Sequence, residues 1–215
     1  MTSKNATTRG ILFDLDGTLH SREAAFWRWL NAEARLAGVI SRVDRDEIAT
    51  LDQHGKGDKE KLLVYLDNAL DWGDSAAKRL RRFRSGIVEH VQLEPGMFAL
   101  LESLREHYLL GVVTNGAGVT QRGKLERLGI LPFFEPVIVS GEAGCRKPNV
   151  EIFELAIKDW PLARQEVLFI GDDPLADVEG ARAAGLRALQ VTSPSEVLSA
   201  LAPLARPSAP LKATR

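Results

Sequence analysis

Five short apolar runs punctuate the chain, at residues 11–13, 109–113, 137–139, 167–170 and 188–191, and amphipathic stretches separate them. Short apolar runs bounded by polar turns read as buried strands, and strands alternating with helices imply βαβ units and a largely parallel sheet. Helical spacing fits 96–107, 118–128, 149–159 and 175–184; in the third, Val150, Phe153, Ile157 and Trp160 mark one apolar face. The pattern predicts an α/β fold with a Rossmann-like three-layer core.

Between the first two runs stand about ninety residues, where one crossover helix would suffice. Residues 22–37, 58–70 and 75–92 read as helices there, with Leu80, Phe83, Ile87 and Val91 spaced as one core face. The expected organisation is an α/β core over 1–19 and 93–205, with a small all-helical cap at 20–92 inserted after the first strand. The last stretch, 206–215, is polar, Pro-bearing and without periodicity, and is expected to be a flexible tail.

Composition narrows the class. A chain of 215 residues can bury most of its apolar surface without staples, and the single cysteine, Cys145, forms no internal bridge and fits a reducing compartment. The first nine residues lack an apolar h-region, and no apolar run approaches the ~20 residues that span a bilayer. The expectation is a cytoplasmic protein. A formal net charge of −1 argues against a dominant electrostatic role in binding nucleic acid or membranes.

Chemistry concentrates at strand ends. Residues 11–18 read Ile-Leu-Phe-Asp-Leu-Asp-Gly-Thr, so Asp14 and Asp16 emerge together where a buried strand stops. Two like charges at ~4 Å repel by about 4 kcal/mol at an effective dielectric near 20, so such a pair needs a cation, a proton or another strong reason to be there, the usual one being catalysis with a divalent metal. Three more groups follow strand-like runs or open helices: Thr114-Asn115-Gly116, Lys147-Pro148, and Gly171-Asp172-Asp173 with Asp177 beyond. In a parallel sheet these ends share one edge. Carboxylates from the first and last groups suit one hard divalent cation, Mg²⁺. The Thr114 hydroxyl and Lys147 ammonium, with backbone N–H groups, suit an anion opposite them. The combination fits phosphoryl transfer to a carboxylate.

These four ordered motifs, spanning about Gly10 to Val191, resemble the haloacid dehalogenase superfamily, in the subfamily with a helical cap after the first motif. The resemblance implies that Asp14 is a nucleophile forming an aspartyl-phosphate and that Asp16 is the general acid and then the base. It further implies that Thr114, Asn115 and Lys147 bind the phosphoryl group. Mg²⁺ would be held by the Asp14 carboxylate, the Asp16 backbone carbonyl and Asp172, with Asp173 or Asp177 in support. The implied activity is hydrolysis of a small phosphorylated metabolite. A sugar-phosphate mutase shares the same groups; a hydrolytic dehalogenase normally lacks an acid at the Asp16 position, and a silent regulatory module would have lost a catalytic charge. Oligomeric state is left open.

Other residues carry less. Cys145 reads as a small filler, the run Lys78, Arg79, Arg81, Arg82 and Arg84 as a solvated helix face, and Phe26, Trp27 and Trp29 as packing within the cap or against the core. The polar stretch 51–59, with Gly55 and Gly57, reads as a connector between cap helices. In the resembling family the corresponding loop faces the site, which makes His54 and Lys56 the candidates for reading the leaving group.

Overall fold

A computed structural model describes residues 7–40 and 43–205; the tail expected at 206–215 lies outside these described residues. Five strands, β1 (Gly10–Phe13), β2 (Leu109–Thr114), β3 (Val137–Val139), β4 (Val167–Gly171) and β5 (Arg187–Gln190), form one parallel sheet in the order β3-β2-β1-β4-β5. The central strand β1 is buried at all four positions, because helices cover both of its faces; this is why its sequence is continuously apolar and does not alternate.

The helices of the insertion are α1 (Arg22–Leu36), α2 (Arg45–Asp52), α3 (Lys59–Leu70) and α4 (Ala76–His90). They share a hydrophobic cluster of their own, built on Phe26, Trp29, Ile48, Leu62, Leu66 and Phe83. Around the sheet lie α5 (Met97–Leu104), α6 (Gly118–Arg127), the short α7 (Ser140–Ala143), α8 (Val150–Ile157), α9 (Gly180–Ala183) and α10 (Pro194–Leu201). Ile11 and Phe13 pack with α5, α6 and α10 on one face, while Leu12 packs with α8 and α9 on the other. The chain leaves the core at His20 and returns at Leu93, and these two residues form a β-bridge that holds the two links side by side.

The structure corrects several expectations. Helices α2, α10 and the short α7 went unforeseen; α2 carries only Ile48 and Leu51 as large apolar residues, too few for a visible period, and it is started by the Asp44 carboxylate, which accepts from Asp46 N at 3.0 Å. The stretch 51–59 is therefore not all connector: Leu51 and Asp52 end α2, and a 3₁₀ turn follows at Gln53–Gly55. Helix α8 stops at Ile157, so its buried face is Ile152, Phe153 and Ala156, and Trp160 lies beyond it, donating from Nε1 to Glu135 O at 3.1 Å. The helix expected at 175–184 opens with a π-helical turn, Pro174–Glu179, before α9. The basic face of α4 is not simply solvated, since Arg79 pairs with Asp67 at 3.0 Å and Arg82 with Glu33 at 3.1 Å, joining α4 to α3 and α1. Phe26 and Trp29 are core residues of the insertion, Trp27 packs on their edge, and Cys145 packs partly buried beside α8.

One contact sets how closely α1 and α4 approach. Gly86, inside α4, lies against the Trp29 indole, and a Cβ there would collide with the ring. Alanine gains about 1 kcal/mol of helix propensity over glycine, but overpacking a filled core costs about 1–3 kcal/mol. Gly86→Ala should therefore lower stability in urea denaturation; a raised midpoint would show that the indole yields freely.

Candidate active site

Register brings the motifs together. Phe13 is paired with Val112 on one side and Ile170 on the other, so Asp14 follows at the strand's end, its N–H donating to Ile170 O at 2.8 Å. Thr114 ends β2, and Asp172 follows β4. The chain then turns at Gly17, where φ is +87°; a Cβ would stand 2.5 Å from Asp172 Oδ2, so only glycine allows both the turn and the approach of that carboxylate.

Lys147, 3% exposed, reaches this edge from the loop before α8. Its Nζ is 2.6 Å from Asp14 Oδ1 and 2.6 Å from Asp177 Oδ1. Asp14, Asp172 and Asp177 each place an oxygen within 4.8 Å of the others. Three ionised carboxylates against one ammonium leave a net charge of −2, which a divalent cation with oxygen ligands matches. Asp177 thus stands in the carboxylate cluster itself, held by accepting from Asp173 N at 3.0 Å. The Asp173 carboxylate is engaged elsewhere: Oδ1 accepts from Leu175 N and Ala176 N, and Oδ2 pairs with Lys56 at 2.6 Å.

The Asp16 side chain is not in that cluster. It accepts from Lys124 Nζ at 2.7 Å on both oxygens, from His20 Nε2 at 2.8 Å and from Gln121 Nε2 at 3.0 Å. Thr114 Oγ1 accepts from the same Gln121 nitrogen at 2.7 Å. Asn115 holds the backbone of Lys147 from both sides, donating to its carbonyl and accepting from its N–H, each at 3.0 Å. Its visible task is to fix the lysine.

The electrostatics divide the two neighbouring acids. Burial pushes Asp14 up to about 8 against the pull of Lys147, and Asp177 adds to the rise. Burial and Asp177 likewise push Asp172 up to about 6. For Asp16 burial opposes ionisation, yet Lys124 and His20 outweigh it and hold the carboxyl well below its ordinary value. Burial alone would lower Lys147, but Asp14 and Asp177 together hold the ammonium above the usual lysine range.

Asp14, Asp16, Thr114, Lys147, Asp172 and Asp177 line a cleft of about 870 Å³ between the sheet edge and the insertion. His54, Gly55, Lys56 and Gly57 form part of its wall, as do Arg22 and Lys59, whereas Phe26, Trp27 and Trp29 do not reach it. His54 is exposed and 3.6 Å from Glu23. Arg22 and Lys59 share the buried Asp52, with Arg22 Nη2 at 2.6 Å and Lys59 Nζ at 3.4 Å. Sequence reading missed His20, Arg22, Asp52, Gln121 and Lys124. The one available signal was in α6, where Gln121 and Lys124 stand at i and i+3 on the same side as buried Leu125.

Fold and site together define a hydrolase with an acidic strand-end centre under a helical insertion. The chain belongs to the haloacid dehalogenase-like hydrolase family, whose profile matches residues 11–191. A phosphoserine phosphatase of Thermus thermophilus is 31% identical over 79% of this chain and 70% of its own length. A glyceraldehyde 3-phosphate phosphatase of Methanopyrus kandleri is 39% identical over 85% of this chain and 83% of its own. The magnesium-bound crystal structure of the HAD-hydrolase YfnB from Bacillus subtilis superposes with a TM-score of 0.72 at 26% identity, covering 91% of this chain and 99% of that one. Among the described residues no helix is long and apolar enough to cross a membrane.

The shifts fix a pH dependence. Asp14 and Asp172 are raised in the folded chain, so the stability they contribute is complete below the unfolded carboxylate pKa near 4 and is lost as pH rises toward about 8. Asp16, Asp52 and Asp173 are lowered, so their contribution is in place once pH exceeds the unfolded value. From about pH 5 to about pH 8 only the first effect operates. The melting temperature of chelator-treated protein should fall across that interval, and Asp14→Asn should flatten the fall; a rise in the unsubstituted protein would refute the assignment.

Proposed function

We propose that this chain is a Mg²⁺-dependent phosphomonoesterase that hydrolyses a small phosphorylated metabolite through an aspartyl-phosphate on Asp14. One observation carries the reading: Asp14 and Lys147 meet at 2.6 Å in an acidic cluster, while Asp16, two residues on, is held in separate cationic surroundings. One carboxylate faces the charge of a phosphoryl group, and the other is available to move a proton.

In the first step the Asp14 carboxylate bonds to phosphorus and the bond to the leaving oxygen breaks, that oxygen taking its proton from Asp16; Lys124 and His20 hold Asp16 ionised in the free protein, and the negative charge of the incoming phosphoryl group is what favours its protonation for this step. In the second, a water oxygen bonds to phosphorus, its proton passes to Asp16, and the Asp14–phosphorus bond breaks to release phosphate. Lys147 and Thr114 hold the phosphoryl oxygens, with Asn115 keeping Lys147 in place. Asp14, Asp172 and Asp177, with the Asp16 backbone carbonyl, form the donor set for Mg²⁺, which when bound neutralises negative charge on the phosphoryl oxygens. The named phosphatases among the relatives favour hydrolysis over phosphoryl transfer to a second sugar. Lys56, bridging to Asp173 across the cleft mouth, and His54 are proposed to read the leaving group.

Asp14→Asn should abolish phosphate release from p-nitrophenyl phosphate while the protein still unfolds in one cooperative transition, and EDTA should abolish it reversibly in the unsubstituted enzyme. Turnover by well-folded Asp14→Asn protein would remove Asp14 as nucleophile, and indifference to EDTA would remove the metal. For specificity, Lys56→Ala and His54→Ala should raise KM for the best metabolite in a phosphate-release screen severalfold, with little change for p-nitrophenyl phosphate, which offers the insertion little to grip. Equal effects on both substrates would assign this loop to closure alone.

A further inference from the structure

Three buried polar side chains have no part in the chemistry above. His20, Gln121 and Lys124 are 0%, 2% and 4% exposed. Burying such groups costs on the order of several kcal/mol unless each finds a partner, and all three find the same one. The Asp16 carboxylate accepts from Lys124 on both oxygens, from His20 on Oδ1 and from Gln121 on Oδ2, at 2.7 to 3.0 Å. A single donor would leave the carboxylate free to turn about χ2; donors on both oxygens fix its plane as well as its position. The side chain keeps 27% exposure and lines the cleft, so it is anchored from behind with an edge toward substrate. Gln121 also donates to Thr114 Oγ1 at 2.7 Å, which ties the orientation of Asp16 to the end of β2.

We propose that His20, Gln121 and Lys124 are positioning residues that aim the Asp16 carboxylate at the water attacking the aspartyl-phosphate, an inference that rests on the phosphatase reading above. In that step the water oxygen bonds to phosphorus, the Asp14–phosphorus bond breaks with its electron pair returning to Asp14, and the proton of the water goes to Asp16. A base displaced by about 1 Å loses about 10²-fold in rate, so the donors behind Asp16 matter to this step although none touches the reacting atoms.

The test uses p-nitrophenyl phosphate, whose leaving group departs without a proton. Its kcat/KM therefore reports phosphoryl transfer to Asp14, while the second step enters only kcat. Lys124→Met should lower kcat about 10–100-fold, change kcat/KM by less than about threefold, and produce a burst of about one equivalent of p-nitrophenolate per site before slow turnover. Lys124→Arg, which keeps donors for both oxygens, should recover much of kcat. In an Asp16→Asn background, which itself should show the burst, Lys124→Met should add no further loss, because a residue acting through Asp16 has nothing left to position. Parallel falls in kcat and kcat/KM, or an additive loss in that background, would make Lys124 structural and overturn the proposal. Should Lys124→Met fail to fold, Gln121→Leu carries the same expectation with a smaller loss. If Asp16→Asn shows the burst while the Lys124 and Gln121 variants turn over normally, positioning alone is overturned; if Asp16→Asn neither slows kcat nor accumulates phosphoenzyme, Asp16 is not the base and the underlying reading falls with it.

Discussion

Three carboxylates share one edge of the sheet, and the rest of the centre follows from keeping them there. Asp14, Asp172 and Asp177 lie within 4.8 Å of one another, at a separation where like charges repel by several times the thermal energy even at an effective dielectric near 20. No local propensity would assemble them. The parallel order, with β1 between β2 and β4, imposes the arrangement, because adjacent strands in one direction must end side by side. Lys147 offsets part of the repulsion from outside the sheet, and Asn115 fixes it by bonding both polar groups of its peptide backbone.

The insertion answers the same charge at longer range. Lys56 crosses to Asp173, while Arg22 and Lys59 converge on Asp52 in the wall above the strand ends. Of these cations only Lys56 pairs with a core carboxylate. It is also the most exposed of the three, so its pair is the one most weakened by salt and most readily exchanged for a substrate anion. The paired links at His20 and Leu93 keep the insertion's two attachments together.

How far the sequence disclosed this depended on the physical kind of signal. The five strands were legible because each is a short apolar run stopped by polar or glycine residues, and in the inner strands β1, β2 and β4 burial on both faces makes that run nearly continuous. Asp14, Lys147 and Asp172 were legible because each directly follows such a run or opens a helix. Helix α2 was hidden by having two large apolar residues, and the end of α8 by Trp160, whose apolar ring fits the helical period but packs from the loop beyond. Gln121 and Lys124 were hard to read for a different reason, their spacing beside Leu125 being the one signal they gave. A polar residue inside a helix reads as solvent-facing unless its partner is known, and Asp16 is more than a hundred residues away from the two on α6.

That distant pairing gives two aspartates separated by one residue opposite characters. Asp14 is pushed up to about 8 by burial among acids, and Asp16 is held well below its ordinary value, against burial, by Lys124 and His20. Environments that drive paired acids apart are how one site assigns distinct roles to chemically identical groups. The direction has a consequence for catalysis. On the proposed phosphatase reading, the ionised Asp16 of the free protein is set as the base, and Asp14 ionises more readily once positive charge is added beside it. Lys147 already lies 2.6 Å from Asp14, so the added charge would come from a cation bound to Asp14, Asp172 and Asp177, without disturbing Asp16, whose own hydrogen-bond donors lie in a separate cluster. On that reading, activation of Asp14 would be coupled to loading of the site, while the surroundings of Asp16 are set by the fold.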